Sequence, residues 1–382
     1  MKVKYHFLYF YVFLVFLSCQ SYYANEYYYE GLKYKNSFSS DNSRAIYWYS
    51  LAIKANPNHI PALANRAMAY SWMGEYNKAI IDYTELIEID PNTISHYTFR
   101  ASAYEETKQY DNAITDLLFV VKNSSPIYTG AYYRLGIISR IKKDYITSLE
   151  YLSKAIEIDQ KYYAAYAERG QTYYLMGDYI NALNDLNISV SNGWPLNALF
   201  SRGIIYYDIG NYDAAIIDFT ESMKLYERFA NNTGTENFTN YPQYFYRGLA
   251  YAGKKDYDMA LADISLSLRD NSNDSNGYMI RGNIYTFIGS YENANADYMR
   301  AIQLDTNNAL AYYFRGLMYF SRKDYERALY NMNEVLKIDP LFNQENFYLL
   351  KSSLENNINT ELDKLKLYLG NMALLYIILD NN

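Results

Sequence analysis

Reactive side chains are scarce in this chain. Its 382 residues hold three histidines, His6, His59 and His96, and a single cysteine, Cys19. Nucleophilic catalysis by Ser or Cys needs an imidazole held beside the nucleophile. A structural zinc site needs a cluster of His and Cys. Neither can be assembled from so few groups, and no glycine-rich phosphate loop or nucleophile elbow occurs. The expectation is therefore a protein that is not an enzyme, with no metal and no cofactor. Two sets of residues retain definite chemistry. One is Cys19, whose thiol can be acylated. The other is a series of arginines, each followed sixteen residues later by an acid: Arg66 and Asp82, Arg100 and Asp116, Arg169 and Asp185, Arg202 and Asp218, Arg247 and Asp263, Arg281 and Asp297. Arg315 is followed by Asn331, and where Leu135 replaces the arginine, Tyr151 replaces the acid. Joint loss of both partners predicts partly buried ion pairs. The competing reading is a basic ribbon that binds an acidic ligand.

Composition narrows the partners. Lys plus Arg number 35 against 42 Asp plus Glu, a net charge of −7. An acidic chain repels phosphate, so nucleic acid is not expected as a partner. Half of the residues are hydrophobic, enough to bury a core. Tyrosine is abundant, at 49 residues. Biased genome composition would produce that, and tyrosine also suits binding surfaces because it offers contact area at low rotamer entropy.

The N-terminus reads as an export signal over residues 1–18. Lys2 and Lys4 precede an apolar run from Phe7 to Leu17, too short to cross a bilayer as a helix. Phe16-Leu17-Ser18-Cys19 follows and resembles the lipobox of bacterial lipoproteins, with Phe16 a departure from the usual aliphatic residue. That resemblance implies lipidation (palmitate) of Cys19 and a membrane-anchored lipoprotein of the bacterial cell envelope. The alternative is a secreted protein.

Self-similarity decides the fold. A small residue recurs at Ala67, Ala101, Gly136, Gly170, Gly203, Gly248, Gly282 and Gly316, at spacings of 34, 35, 34, 33, 45, 34 and 34. Nine residues after each stands a tyrosine: Tyr76, Tyr110, Tyr145, Tyr179, Tyr212, Tyr257, Tyr291 and Tyr325. Twelve after each is small, and sixteen after each is bulky and apolar, such as Leu117, Leu152 and Phe219. Small residues let two helices approach closely. Turns such as Gly177-Asp178 end one helix and cap the next. The pattern predicts an all-α, right-handed superhelical solenoid of tandem helix–turn–helix repeats, each arginine pairing across its own helix pair.

This order of residues closely resembles the tetratricopeptide repeat family. The resulting organisation is a degenerate first repeat over 19–57, eight repeats over 58–340 with an insertion near 226–242, and C-terminal capping helices over 341–382. The insertion is polar and expected to form a surface loop. By resemblance, partner proteins or peptides would bind in a concave groove lined by Tyr133, Tyr174, Phe200, Tyr207, Phe245, Tyr313 and Phe320, aromatic and with few charges, to which Arg140, Gln171, Asn283, Ser102 and Glu105 add polar points. No lysine lies three before any small residue, so a carboxylate clamp of the kind some family members use is not expected. The function implied is a non-enzymatic interaction scaffold, with no small-molecule substrate. The alternatives are a self-assembling structural protein or a non-catalytic subunit of an envelope enzyme complex.

Overall fold

The computed structural model describes residues 21–34, 41–124, 128–193, 195–233, 241–340 and 342. The leader, Cys19 and, Phe342 aside, the segment after Pro340 lie outside the described residues. All regular structure among the described residues is helical. The chain divides into two compact units, one up to Met176 and one from Gly177. The first holds α1 (21–32), α2 (Asn42–Ala55), α3 (Ile60–Trp72), α4 (Tyr76–Ile89), α5 (Ile94–Glu106), α6 (Tyr110–Asn123), α7 (Thr129–Ile141), α8 (Tyr145–Ile158) and α9 (Tyr163–Leu175). The second holds α10 (Tyr179–Ser191), α11 (Pro195–Asp208), α12 (Tyr212–Thr233), α13 (Tyr241–Gly253), α14 (Tyr257–Asp270), α15 (Ser275–Phe287), α16 (Tyr291–Leu304), α17 (Ala309–Ser321) and α18 (Tyr325–Ile338). Each unit is an all-α solenoid of stacked helix pairs.

The nine-on tyrosine is the first residue of every second helix from α4 to α18. Before it the chain reverses through a left-handed residue. Where that residue is Gly74, Gly177, Gly210 or Gly289, φ is 74°, 78°, 77° and 78°. Where it is Lys108, Lys143, Lys255 or Lys323, φ is 58°, 63°, 64° and 64°, a region in which a Cβ is strained. In four of these turns an aspartate then caps the next helix, as where Asp144 Oδ1 accepts from Thr147 N at 3.2 Å and Asp324 Oδ1 from Arg327 N at 3.2 Å.

Within a pair, the small position of the first helix meets the bulky residue sixteen on. A Cβ added to Gly136 would stand 2.5 Å from Leu152 Cγ, so only glycine fits. The degenerate first repeat obeys the same rule, since a Cβ on Gly31 would stand 2.5 Å from a ring carbon of the fully buried Tyr49. In the second unit one core runs from Tyr207 through Phe219, Ile264 and Tyr298 to Val335.

The insertion differs from expectation. Residues 226–233 do not loop but prolong α12, which has 22 residues where α14 has 14. No Pro or Gly interrupts Tyr226 to Thr233, so nothing stops the helix there.

Candidate functional site

Five of the arginines grip their aspartates with two parallel bonds, from Nε and Nη2 to the two carboxylate oxygens. Distances are 2.8 and 2.8 Å for Arg66–Asp82, 2.8 and 2.7 Å for Arg100–Asp116, and 2.7 and 2.7 Å for Arg202–Asp218. Arg247–Asp263 and Arg281–Asp297 repeat this geometry. Arg315 Nε donates to Asn331 Oδ1 at 2.7 Å. Arg169 lies in the first unit and Asp185 in the second. The aspartates are buried, and hydrogen bonding to Asp218 holds the Arg202 guanidinium above its ordinary pKa. The five aspartate-paired arginines are thus internal struts, and neutralised. Leu135 is fully buried, and Tyr151 packs half-buried against the same cluster, so the exceptional repeat fills this space with apolar groups.

The spacing alone does not reveal a third bond. Nη1 of four of these arginines reaches back to a hydroxyl sixteen residues earlier on the preceding second helix: Arg66 to Ser50 Oγ at 3.1 Å, Arg100 to Thr84 Oγ1 at 3.1 Å, Arg169 to Ser153 Oγ at 3.0 Å, and Arg281 to Ser265 Oγ at 3.0 Å. The arginine therefore ties one repeat to the one before it. Recurrent tyrosines flank it, as where the Arg100 guanidinium lies 5.8 Å from the rings of both Tyr97 and Tyr104. Part of the tyrosine abundance is thus structural. The signal was present in the sequence: a polar side chain stands sixteen before most of these arginines, and Phe119 stands sixteen before Leu135.

On the first helices of the first unit, the face of α5, α7 and α9 carries charge. Arg134 Nε and Nη2 both lie 2.9 Å from one Glu105 oxygen, and Arg134 Nη1 donates to the Thr98 carbonyl at 3.1 Å. Arg140 Nη2 lies 2.6 Å from Glu168 Oε2. Both pairs link neighbouring repeats and are largely shielded. Burial pushes the Glu105 carboxyl up in spite of Arg134. Arg140 Nε is buried and has no acceptor among the described residues. Tyr133 is half-buried beside this pair, its ring edge-on to Tyr162 at 5.2 Å. Burial first, then the Glu168 carboxylate, raises the Tyr133 phenol above its ordinary pKa. Tyr174 is also half-buried.

The expected aromatic groove needs correction. Tyr207, Tyr313 and Phe320 are only 3%, 5% and 3% exposed, and belong to the second unit's core. Tyr207 and Phe320 fold onto the tyrosines that begin their own second helices, 5.8 Å from Tyr212 and 5.8 Å from Tyr325. Tyr313 is covered by Phe342 at 5.5 Å. Such rings have no surface to offer a partner. Phe200 and Phe245 remain half-buried. In the first unit two of the expected polar points, Glu105 and Arg140, are paired with Arg134 and Glu168, so that the face carries more charge than expected.

Tetratricopeptide repeat models match residues 60–93, 129–162, 196–229 and 309–342, and a TPR repeat model matches 282–320. The chain is a tetratricopeptide repeat protein. Solved structures of the same fold agree with that. A chain of the APC/C hetero-tetramer Cut9-Hcn1 shares 17% identity and a TM-score of 0.52, covering 84% of this chain and 60% of its own. A tetratricopeptide repeat protein from Parabacteroides merdae shares 18% identity and a TM-score of 0.50, covering 69% of this chain and 98% of its own. This TPR protein therefore spans 60% of the length of the matched Cut9-Hcn1 chain. No curated protein matches it in sequence.

Proposed function

We propose that this TPR protein is a non-enzymatic scaffold, held at the bacterial cell envelope by lipid on Cys19, that binds an extended or helical segment of a partner protein. Repeat arrays of this family serve as interaction modules, and the face of α5, α7 and α9 offers what a peptide needs. Tyr133 and Tyr174 supply rigid contact area, and the Glu105–Arg134 and Arg140–Glu168 pairs give that face a fixed charge pattern. The observation that carries the reading is the half-buried Tyr133 ring beside the Arg140–Glu168 pair, an apolar surface next to an oriented charge. An aromatic anchor beside a fixed charge suits recognition of a peptide segment. In the second unit, Phe200 and Phe245 are the half-buried remnants of the aromatic set and would add contact area.

The experiment is a binding titration with a purified partner recovered from membranes. Tyr133→Ala with Tyr174→Ala should weaken binding by more than about 2 kcal/mol, on the scale of interface hot spots. Arg140→Ala removes the charge paired with Glu168, and should weaken it further. Full-strength binding by all three changes would remove this face from the account.

A further inference from the structure

The first helix carries two faces with different fates. Ala24, Tyr28 and Gly31 point into the unit: Ala24 is fully buried, and Tyr28 packs 5.3 Å from His59. Beside this buried face runs a series of neighbouring rings that continues onto α2 and whose outer members are exposed. Tyr22 meets Tyr23 at 5.7 Å, Tyr23 stacks on Tyr27 at 6.4 Å, Tyr27 on Trp48 of α2 at 6.0 Å, and Trp48 meets Tyr47 at 5.4 Å. Tyr22, Tyr23 and Tyr47 are 66%, 51% and 58% exposed. An exposed cluster of this kind calls for a partner surface.

Position in the chain indicates which surface. Tyr22 is three residues from Cys19, and three residues span at most about 10 Å. If Cys19 carries the acyl anchor, as proposed above, Tyr22 is held within about 10 Å of the headgroup layer. Tyr and Trp are the side chains suited to that layer, with an apolar ring and a polar tip. Charge neither helps nor opposes: the described residues of α1 and α2 and their connection carry Glu26, Glu30 and Asp41 against Lys33, Arg44 and Lys54.

We propose that the Tyr22–Tyr23–Tyr27–Trp48–Tyr47 patch is a membrane-interface platform, seated among the phospholipid headgroups beside the anchor. It turns a flexible tether into a mount that fixes the first helix pair on the bilayer. The rings, and not electrostatics, provide the contact, so neutral phospholipid suffices.

Cys19 is the sole cysteine, so the chain from Cys19 onward can be coupled through its thiol to a maleimide lipid in vesicles. This replaces cellular acylation and separates the two ideas: absence of acylation in cells would sink the anchor, whereas the vesicle result judges the patch. With Trp72→Phe and Trp194→Phe, Trp48 is the only tryptophan. In phosphatidylcholine carrying a nitroxide quencher on its headgroup, Trp48 emission should fall by roughly twofold or more relative to plain lipid, because the quencher lies at the depth proposed for the ring. Adding Tyr22→Ser, Tyr23→Ser and Tyr47→Ser should restore most of it, with circular dichroism unchanged because these rings are exposed. Unquenched Trp48 in the coupled parent would overturn the proposal, whatever the behaviour of the triple variant.

Discussion

Arg202→Ala tests how much each strut contributes. The guanidinium is 17% exposed and the Asp218 side chain 4%. Its loss removes both bonds to Asp218 and the 2.7 Å bond from Nη1 to Asn187 Oδ1. A carboxylate is then left in a buried site with no countercharge. Removing one partner of a buried pair costs about 3–5 kcal/mol, whereas exposed pairs give less than about 1 kcal/mol. The Asp218 end is buried, so the higher range applies, softened by the partly exposed arginine; the expectation is about 3 kcal/mol. Arg202→Leu with Asp218→Tyr copies the Leu135 and Tyr151 repeat and should recover most of the loss, since apolar replacement of a buried pair is often neutral. Denaturant unfolding followed by circular dichroism, with hydrogen exchange on α11 and α12, gives both values. A single change costing under about 1 kcal/mol would refute burial as the source of the energy. Losses in the double variant that equal the sum of the two single changes would show that the residues do not interact.

Other expectations concern smaller features. His59 caps α3, its Nδ1 accepting from Ala62 N at 3.1 Å, and burial lowers its pKa below 6.5. Its stabilising effect is therefore complete above about pH 6.5 and is lost as pH falls through the lowered folded value. Unfolding midpoints from pH 7.5 to 5 should show this loss, and His59→Asn, which keeps a capping acceptor, should reduce the slope; His96, lowered likewise by burial, accounts for the remainder. Lys143→Gly relieves a left-handed backbone and should raise stability by up to about 1 kcal/mol; an unchanged or lower denaturation midpoint would contradict it. Tyr207→Ala should unfold the second unit's core, at about 3–5 kcal/mol by analogy with other large aromatic truncations, while Phe200→Ala should lose less; equal losses would mean the two sites are equally buried. Cys19→Ala should abolish incorporation of a fatty-acid analogue and release the protein from membranes. Persisting label would end the anchor.

The helix pairs were legible because their signals are local and repeated. Tyr212 opens a second helix wherever its equivalents do, and Gly136 must be small because Leu152 lies against it. The arginine pairs were legible because Leu135 and Tyr151 vary together inside one chain. The groove was less so. Glu105, Arg140, Tyr207 and Phe320 share one position in the repeat, yet their fates diverge with side-chain chemistry. Charged residues there reach across to the neighbouring first helix, while bulky rings fold down onto Tyr212 and Tyr325. Burial of Tyr313 depends on Phe342, a contact outside the repeat's own spacing. The helical extension of α12 was hidden because Asn231 and Asn232 read as turn residues, although nothing before Gly234 breaks the helix.

The central claim is that the first helices of the first unit receive a partner protein. A photo-activated crosslinking residue placed in living cells at Tyr133, and separately at Ile81 or Ile146 on the exposed side of second helices, tests it directly; Ile81 and Ile146 are 65% and 60% exposed. The account predicts a discrete protein adduct from position 133, lost when Arg140 is also replaced, and none from 81 or 146. Adducts from 81 or 146 alone, with position 133 silent, would contradict it.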